Sequence, residues 1–338
     1  MPRRVILVDA IQDYGSDYSI EREALSALGV GLDIRACRTE AEVIAAAGAY
    51  EVLATIGPTR LTARVIENLP ACRLIARYAV GYDNIDVEAA SQAGIVVANA
   101  PAFCADEVAD HTVALMFALA RKVLWLDRFV REAHWRESWR STGPVHRLST
   151  LTLGLIGFGD IGRRVAQRMA SIVGAILACD PCATSAAAAQ YGVRLAQPDE
   201  LLATADLVSL HVPLVPATRQ LIAGPQVARM KPTAFLINTS RGAVVDEAAL
   251  AEALRQGRIA GAALDVFEAE PLPADSPLRE LPNVILTPHF GWYSNDAVRQ
   301  LSASVTDSIC DLLQGYWPRH VVNPAVKPRL PLRHRSER

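Results

Sequence analysis

The chain has 338 residues, of which 51% are hydrophobic and 21% charged, with a formal net charge of −2. That length allows two domains with proper cores, the composition is that of an ordinary globular protein, and the charge excludes the cationic footprint of a nucleic-acid binder. The N-terminal MPRR runs straight into Val5-Ile6-Leu7-Val8, too short for a signal core, and no apolar stretch approaches the roughly 18 residues of a membrane span, so a cytoplasmic protein is expected. Cys37, Cys72, Cys104, Cys179, Cys182 and Cys310 are scattered. Only Cys179 and Cys182 are close, without the second pair a zinc site needs, so reduced thiols and no metal are expected.

In chain order, five short apolar runs alternate with helix-like stretches up to about residue 98: Val5–Val8, Leu32–Ala36, Val52–Ile56, Leu74–Arg77 and Ile95–Ala98. Such alternation predicts a parallel sheet flanked by helices. A single long helix is predicted next, from Asp106 to Leu126, with its run Val113–Ala120 buried on most sides as core. A second alternating unit has strands at Leu153–Ile156, Ala175–Cys179, Leu207–Val212, Ala234–Asn238, Ala262–Val266 and Val284–Leu286. One of its helices runs from Asp246, a good N-cap, to Gln256, with Gly257 where a stop belongs. After Pro288 the pattern turns helical to about Leu313, and this helix is expected to return to the first domain. Residues 1–98 with 293–338 then form a discontinuous domain around the continuous 99–292. The basic stretch from Lys327 to Arg338 reads as a solvated end.

The densest information lies in 153–180, LGLIGFGDIGRRVAQRMASIVGAILACD, where Gly157, Gly159 and Gly162 stand in G-x-G-x-x-G register between a strand and a helix. Gly157 permits the tight bend, Gly159 lets the backbone approach a diphosphate, and Gly162 allows close packing of helix on strand. The diphosphate would sit on the unpaired N–H groups of the helix N-terminus. Asp180, 18 residues past Gly162, is placed to accept the adenosine ribose hydroxyls and to repel a 2′-phosphate. The motif therefore predicts NAD rather than NADP. Arg241 follows the strand Ala234–Asn238 and His289 follows Val284–Leu286, which puts both at the carboxyl edge of the sheet, where open α/β folds bind ligands. A planar guanidinium suits a 2-oxo carboxylate, and a histidine suits proton transfer. Glu270, beyond Ala262–Val266, is a candidate partner that would orient the imidazole and favour its protonated form.

These residues resemble those of the D-2-hydroxyacid dehydrogenase family. The likeness runs from about residue 50 to 325 through G-F-G-D-I-G with Asp180, Asn238-Thr-Ser-Arg-Gly242, Asp265-Val-Phe-Glu-Ala-Glu270-Pro and Thr287-Pro-His289. The resemblance implies two doubly wound parallel-sheet α/β domains, a Rossmann NAD domain and a flavodoxin-like substrate domain with a cleft between. It also implies a homodimer formed through the cofactor domain. Arg241 would bind substrate, with His289 as acid/base and Glu270 as its partner. Asp265 would hold the nicotinamide carboxamide. Thr112, Asp160, Ile161, His211, Val212, Pro213, Thr218, Thr239 and Gly291 would complete the cofactor site. Tyr78, Ala79, Val80 and Gly81 align with the family's substrate loop, whose backbone N–H groups receive the carboxylate, and Cys104 falls in the same pocket.

His289-Phe-Gly-Trp292-Tyr293-Ser294, Gly81-Tyr-Asp-Asn-Ile-Asp86 and Asp106-Glu-Val-Ala-Asp110 resemble the C-terminal-binding-protein branch, in which the position of Trp292 faces the substrate. Ile56 stands where phosphoglycerate-oxidising relatives have an arginine, and the regulatory extension of many of them does not follow, so 3-phosphoglycerate is disfavoured. The expectation is an NAD-dependent enzyme that interconverts a small 2-oxo acid and its D-2-hydroxy acid. The competing reading, suggested by the same branch, is an NAD(H)-sensing corepressor-like protein with little turnover.

Overall fold

A computed structural model of the chain describes residues 4–9 and 17–335. The expectations attached to residues 1–3 and to the last three residues of the basic stretch lie outside the described residues. The chain divides into two compact units, Met1–Phe103 with Ser294–Arg338, and Cys104–Tyr293.

The first unit runs β1 (Val5–Val8), α1 (Ser19–Ser26), β2 (Leu32–Arg35), α2 (Glu40–Ala47), β3 (Val52–Thr55), α3 (Ala63–Glu67), β4 (Leu74–Arg77), α4 (Val87–Gln92) and β5 (Val96–Ala98). Its five strands are all parallel, in the order β2-β1-β3-β4-β5. Strands β1, β3 and β5 are buried along their whole length, as expected of a sheet covered by helices on both faces. The caps are local: Thr39 and Glu42 form a capping box at α2, and Asp86 accepts from the Ala89 N–H at α4.

The second unit runs α5 (Ala105–Ala120), α6 (Val123–Arg131), α7 (Ser138–Ser141), β6 (Thr152–Ile156), α8 (Asp160–Met169), β7 (Ala175–Cys179), α9 (Ser185–Ala189), β8 (Arg194–Leu195), α10 (Pro198–Thr204), β9 (Leu207–Leu210), α11 (Gly224–Val227), β10 (Phe235–Asn238), α12 (Glu247–Arg255), β11 (Gly261–Leu264) and β12 (Val284–Leu286). Its parallel sheet has the order β12-β11-β10-β9-β6-β7-β8. Side chains alternate between two cores: Leu153, Leu155, Ile237 and Ala263 pack on one, and Ile156, Val208, Leu236 and Leu264 on the other. Asp246 caps α12 through the Ala249 N–H at 2.9 Å, and Gly257 closes it in the left-handed region at φ 66°. The two-residue β8 carried no apolar run and was missed in the sequence.

Two expectations need correction. The predicted helix Asp106–Leu126 is two helices, because Lys122 takes φ 54° between α5 and α6. Left-handed caps are commonly Gly or Asn, and a lysine at that position carries no stop signal. The run Val113–Ala120 is enclosed on most sides as expected, with Ala114 alone exposed. The stretch from Lys327 to Arg335, read as a solvated end, is exposed along most of its length but is also tied down in the first unit. Arg329 donates to the carbonyls of Ala93, Leu69 and Pro70, Arg333 is paired through its backbone with Gly315 and Trp317, and Arg335 meets the buried Asp311. Arg329, Arg333 and Arg335 thus find carbonyls and one carboxylate that lie elsewhere in the sequence.

The last helix, α13 (Asn295–Leu313), does return to the first unit, where it packs against α1 and β4. Asn323 beyond it accepts from the Val97 N–H at 2.8 Å and donates to the Ile95 carbonyl, stitching the end of the chain to β5. Among the described residues no helix is long and apolar enough to cross a membrane.

Candidate active site

The glycine turn sits at the carboxyl end of β6. Gly157 has φ 94°, and a Cβ there would lie 2.4 Å from the His211 carbonyl oxygen; one on Gly162 would lie 2.5 Å from the Gly157 oxygen. A Cβ on Gly159, by contrast, would meet nothing within 4 Å. The first and third glycines are thus required by the protein's own backbone, and the second borders open space at the N-terminus of α8. That is a fit to a dinucleotide diphosphate. Asp180 closes the other side, accepting from the Phe158 N–H at 2.7 Å and the Cys182 N–H at 2.8 Å. Asp160, in the first turn of α8, is exposed and paired with Arg164 at 3.2 Å. Ile161 packs inward against the core that Phe158 and Val165 help to build.

The remaining predicted cofactor residues fall in small groups. Thr112 and Thr239 are buried and share a 2.8 Å hydrogen bond. His211 contacts the Ser209 hydroxyl at 3.0 Å, and burial pushes its ring down to about 4. Val212 and Pro213 follow it, and the Thr218 hydroxyl donates to the Pro213 carbonyl at 2.5 Å.

Arg241 leaves β10 on a turn that the sequence Asn-Thr-Ser-Arg builds by itself. Asn238 accepts from the Ser240 N–H and hydroxyl and donates to the Arg241 carbonyl at 2.9 Å, while Arg241 donates to the Ser240 carbonyl at 2.8 Å. A Cβ on Gly242 would sit 1.8 Å from the Phe267 carbonyl carbon, so only glycine lets this turn lie against the strand-end segment that leads to Glu270. Glu270 in turn holds His289, Oε2 to Nδ1 at 2.7 Å, and its other oxygen accepts from the Phe267 N–H at 3.0 Å. Burial works to raise the Glu270 carboxyl, but the His289 hydrogen bond and charge, the Phe267 N–H and Arg241 together hold it below its ordinary value. The structure therefore brings Glu270 and His289 into contact, with Arg241 close enough for its charge to act on the Glu270 carboxyl. Cys104 lies within the electrostatic reach of Arg241, but burial, assisted by Glu107, pushes its thiol up to about 12 despite Arg241, so it stays protonated.

Asp265 is 2% exposed and its carboxylate is occupied. It accepts from the Thr287 hydroxyl at 2.6 Å, the Phe290 N–H at 2.8 Å and the Gly291 N–H at 2.9 Å, with His111 Nε2 at 3.4 Å. Burial acts to raise its pKa, yet these donors hold it below the ordinary carboxylate value. His289 has φ 55°, a left-handed conformation that costs a side-chain-bearing residue about 1–3 kcal/mol. Its N–H donates to the Asp265 carbonyl at 2.7 Å. Asp265 thus clamps the backbone on both sides of the strained histidine. Sequence reading missed His111 and Thr287 in this clamp; the only signal was their presence inside the quoted segments Ala109-Asp-His-Thr112 and Thr287-Pro-His289. Trp292, half-buried, meets Tyr293 edge-on at 5.5 Å.

Tyr78, Ala79, Val80 and Gly81 belong to the first unit, just after β4. The Tyr78 ring is 5% exposed and points its hydroxyl at Glu21, so the residue offers the loop an anchor and little ring surface. The segment Asp106–Asp110 is explained by ion pairs to α8: Arg164 and Arg168 meet Asp106 at 2.7 and 2.8 Å, and Arg168 meets Asp110 at 2.6 Å. Among the described residues no cluster fit to hold a metal occurs.

Comparison with known proteins agrees with this geometry. A family model described as "D-isomer specific 2-hydroxyacid dehydrogenase, NAD binding domain" matches residues 113–291. A glyoxylate reductase of Korarchaeum cryptofilum is 42% identical over 79% of this chain and 80% of its own length. A D-3-phosphoglycerate dehydrogenase of Archaeoglobus fulgidus is 36% identical over 96% of this chain, which spans 60% of that protein. Among solved structures, the D-lactate dehydrogenase of Aquifex aeolicus complexed with NAD and lactic acid superposes with a TM-score of 0.82 at 29% identity, covering 92% of this chain and 96% of that one. The chain belongs to the D-isomer-specific 2-hydroxyacid dehydrogenase family. It is an NAD-dependent oxidoreductase acting between 2-oxo acids and D-2-hydroxy acids, and its second unit carries the dinucleotide fold.

Proposed function

We propose that this enzyme reduces a small 2-oxo acid with an uncharged side chain, with glyoxylate as the first substrate to try, and that Arg241, Glu270 and His289 carry the reaction. The observation behind this reading is the 2.7 Å His289–Glu270 pair beside Arg241. Glu270, fixed by the Phe267 N–H, accepts from Nδ1 and fixes the ring's orientation, which leaves Nε2 to deliver the proton to the substrate oxygen. Arg241 receives the substrate carboxylate and stabilises charge that develops on the oxygen. The bound dinucleotide supplies the hydride. Asp265, with His111 and Thr287, keeps the histidine loop in place and is the group nearest in role to a carboxamide ligand. Val80 and Gly81 receive the substrate carboxylate through their N–H groups, and Trp292 borders the side-chain pocket with Cys104. The relatives named above are reductases and dehydrogenases, which favours turnover over the sensor reading.

Gly157, Gly159, Gly162, Asp160 and Ile161 hold the dinucleotide, with Thr112, His211, Val212, Pro213, Thr218, Thr239 and Gly291 around it. Asp180 favours NAD over NADP by charge repulsion of a 2′-phosphate. Ile56 follows β3 and gives only its backbone N–H to Asp9, so its side chain offers no cation for a phosphate. A homodimer built on α6 and α7 is supported by the apolar face there: Val123, Leu124 and Val130 are exposed, as are Trp135 at 65% and Trp139 at 82%. The six cysteines are free thiols, in keeping with a reducing cytoplasm. The experiment is NADH absorbance decay with a panel of 2-oxo acids, repeated with NADPH. Turnover of glyoxylate or a close homologue with NADH supports the reading; NADH binding without turnover of any member refutes it.

A further inference from the structure

One cluster of buried polar atoms in the first unit is unused by the chemistry above. Glu21 on α1 is 1% exposed, and one of its carboxylate oxygens accepts from the Tyr78 hydroxyl at 3.2 Å. Its other oxygen is buried without a hydrogen-bond partner, and the Thr306 hydroxyl on α13 faces the Tyr78 hydroxyl. Burying a carboxylate with a single neutral donor is costly, and large apolar side chains would fill that space more stably. The cluster sits directly under the loop 78–81.

The rest of that loop is anchored by its carbonyls and one N–H. Tyr78 donates its N–H to Thr55, Ala79 accepts from the Ala100 N–H, Val80 accepts from Asn99 Nδ2 at 2.7 Å, and Gly81 accepts from Arg77 Nε at 3.2 Å. The N–H groups of Val80 and Gly81 are left over, with no hydrogen bond to a described residue. A loop whose acceptors are locked and whose adjacent donors are spare is built to receive an anion.

We propose that Glu21 and Tyr78 form a buried positioning pair that fixes the 78–81 loop and thereby sets the affinity of the enzyme for the carboxylate of its 2-oxo acid. The inference rests on the reading that this loop receives the carboxylate. Neither side chain touches the substrate; the pair acts by holding the loop ordered before substrate arrives, which removes an ordering cost from binding.

The test uses Glu21→Leu, Tyr78→Phe and the double variant in the full chain. With glyoxylate as the probe, each single variant should raise KM about tenfold, the loss from leaving one buried group unpaired, while kcat and NADH affinity stay unchanged. The double variant should be no worse than the poorer single, because the two groups act as one unit. Hydrogen exchange provides a readout independent of turnover: the Tyr78 and Ala100 amides, both bonded within the loop's anchorage, should exchange faster in either variant. Unchanged exchange in both folded variants would overturn the pair, as would additive losses spread over kcat and NADH affinity. If the parent chain turns over no 2-oxo acid, the functional reading fails, and the exchange experiment still decides the pair.

Discussion

The two sheets reach the same topological point and treat it in opposite ways. In the first unit β1 lies between β2 and β3, and in the second β6 lies between β7 and β9, so the end of each strand is a switch point where connections diverge to either side. After β1 comes Asp9, at φ 49°, whose carboxylate accepts from the Thr55 hydroxyl at 3.1 Å, the Ile56 N–H at 3.0 Å and the Thr59 N–H at 3.3 Å. After β6 comes Gly157, at φ 94°, followed by a glycine that borders open space. The first unit fills its anion-receiving corner with its own acid. The second leaves that corner open to a diphosphate. A fold supplies the corner; single residues decide whether it binds anything.

The strongest way to break the contrast is to remove the chemistry that the open sheet supports. His289→Gln should lower kcat by about 10²–10⁴-fold, the usual contribution of a positioned general acid, with NADH affinity retained. Steady-state kinetics and nicotinamide fluorescence check both halves of that statement. Arg241→Ala should cost about 10²–10³-fold in kcat/KM for the 2-oxo acid, again with NADH bound normally.

Next in size is the corner itself. Gly157→Ala places a methyl group 2.4 Å from a carbonyl oxygen and should abolish measurable NADH binding, whereas Asp9→Asn should leave NADH affinity within about twofold, since the Asp9 carboxylate bonds Thr55, Ile56 and Thr59 of its own unit and no part of the glycine turn. Equal losses in both variants would erase the distinction drawn here. Asp180→Ala should narrow the preference for NADH over NADPH by about tenfold, through loss of one charged contact.

The smallest effect is on stability. Burial pushes His211 down to about 4 from 6.5, so the unfolded chain binds the extra proton first as pH falls. The contribution is present above pH 6.5 and is lost as pH drops toward 4. Thermal midpoints measured across that window should fall more steeply for the parent chain than for His211→Gln.

Much of this was legible in the sequence because the informative contacts are local. G-x-G-x-x-G followed by an acid, and an Asn-Thr-Ser-Arg turn that closes on itself, each specify their geometry within a few residues. The strands Val5–Val8, Leu74–Arg77, Ala175–Cys179 and Val284–Leu286 were readable for the same reason: three to five apolar residues between turn signals. What escaped was held by distance in the chain. Asp265 was assigned to the cofactor from resemblance alone, and its clamp on Thr287, Phe290 and Gly291 appears only when β11 and β12 pair. Arg329 is exposed, as the sequence suggested, but its bonds to the carbonyls of Leu69 and Ala93 were not legible there. The stop at Lys122 escaped because a left-handed lysine has no compositional mark.

The central claim is that His289 and Glu270 act as one proton-delivering unit beside Arg241. A double-mutant cycle on glyoxylate reduction, comparing His289→Gln, Glu270→Gln and the two combined, tests it most directly. The account predicts that the combined variant is no slower than His289→Gln alone. Losses that multiply would show two independent groups, and full activity in His289→Gln would contradict the assignment outright.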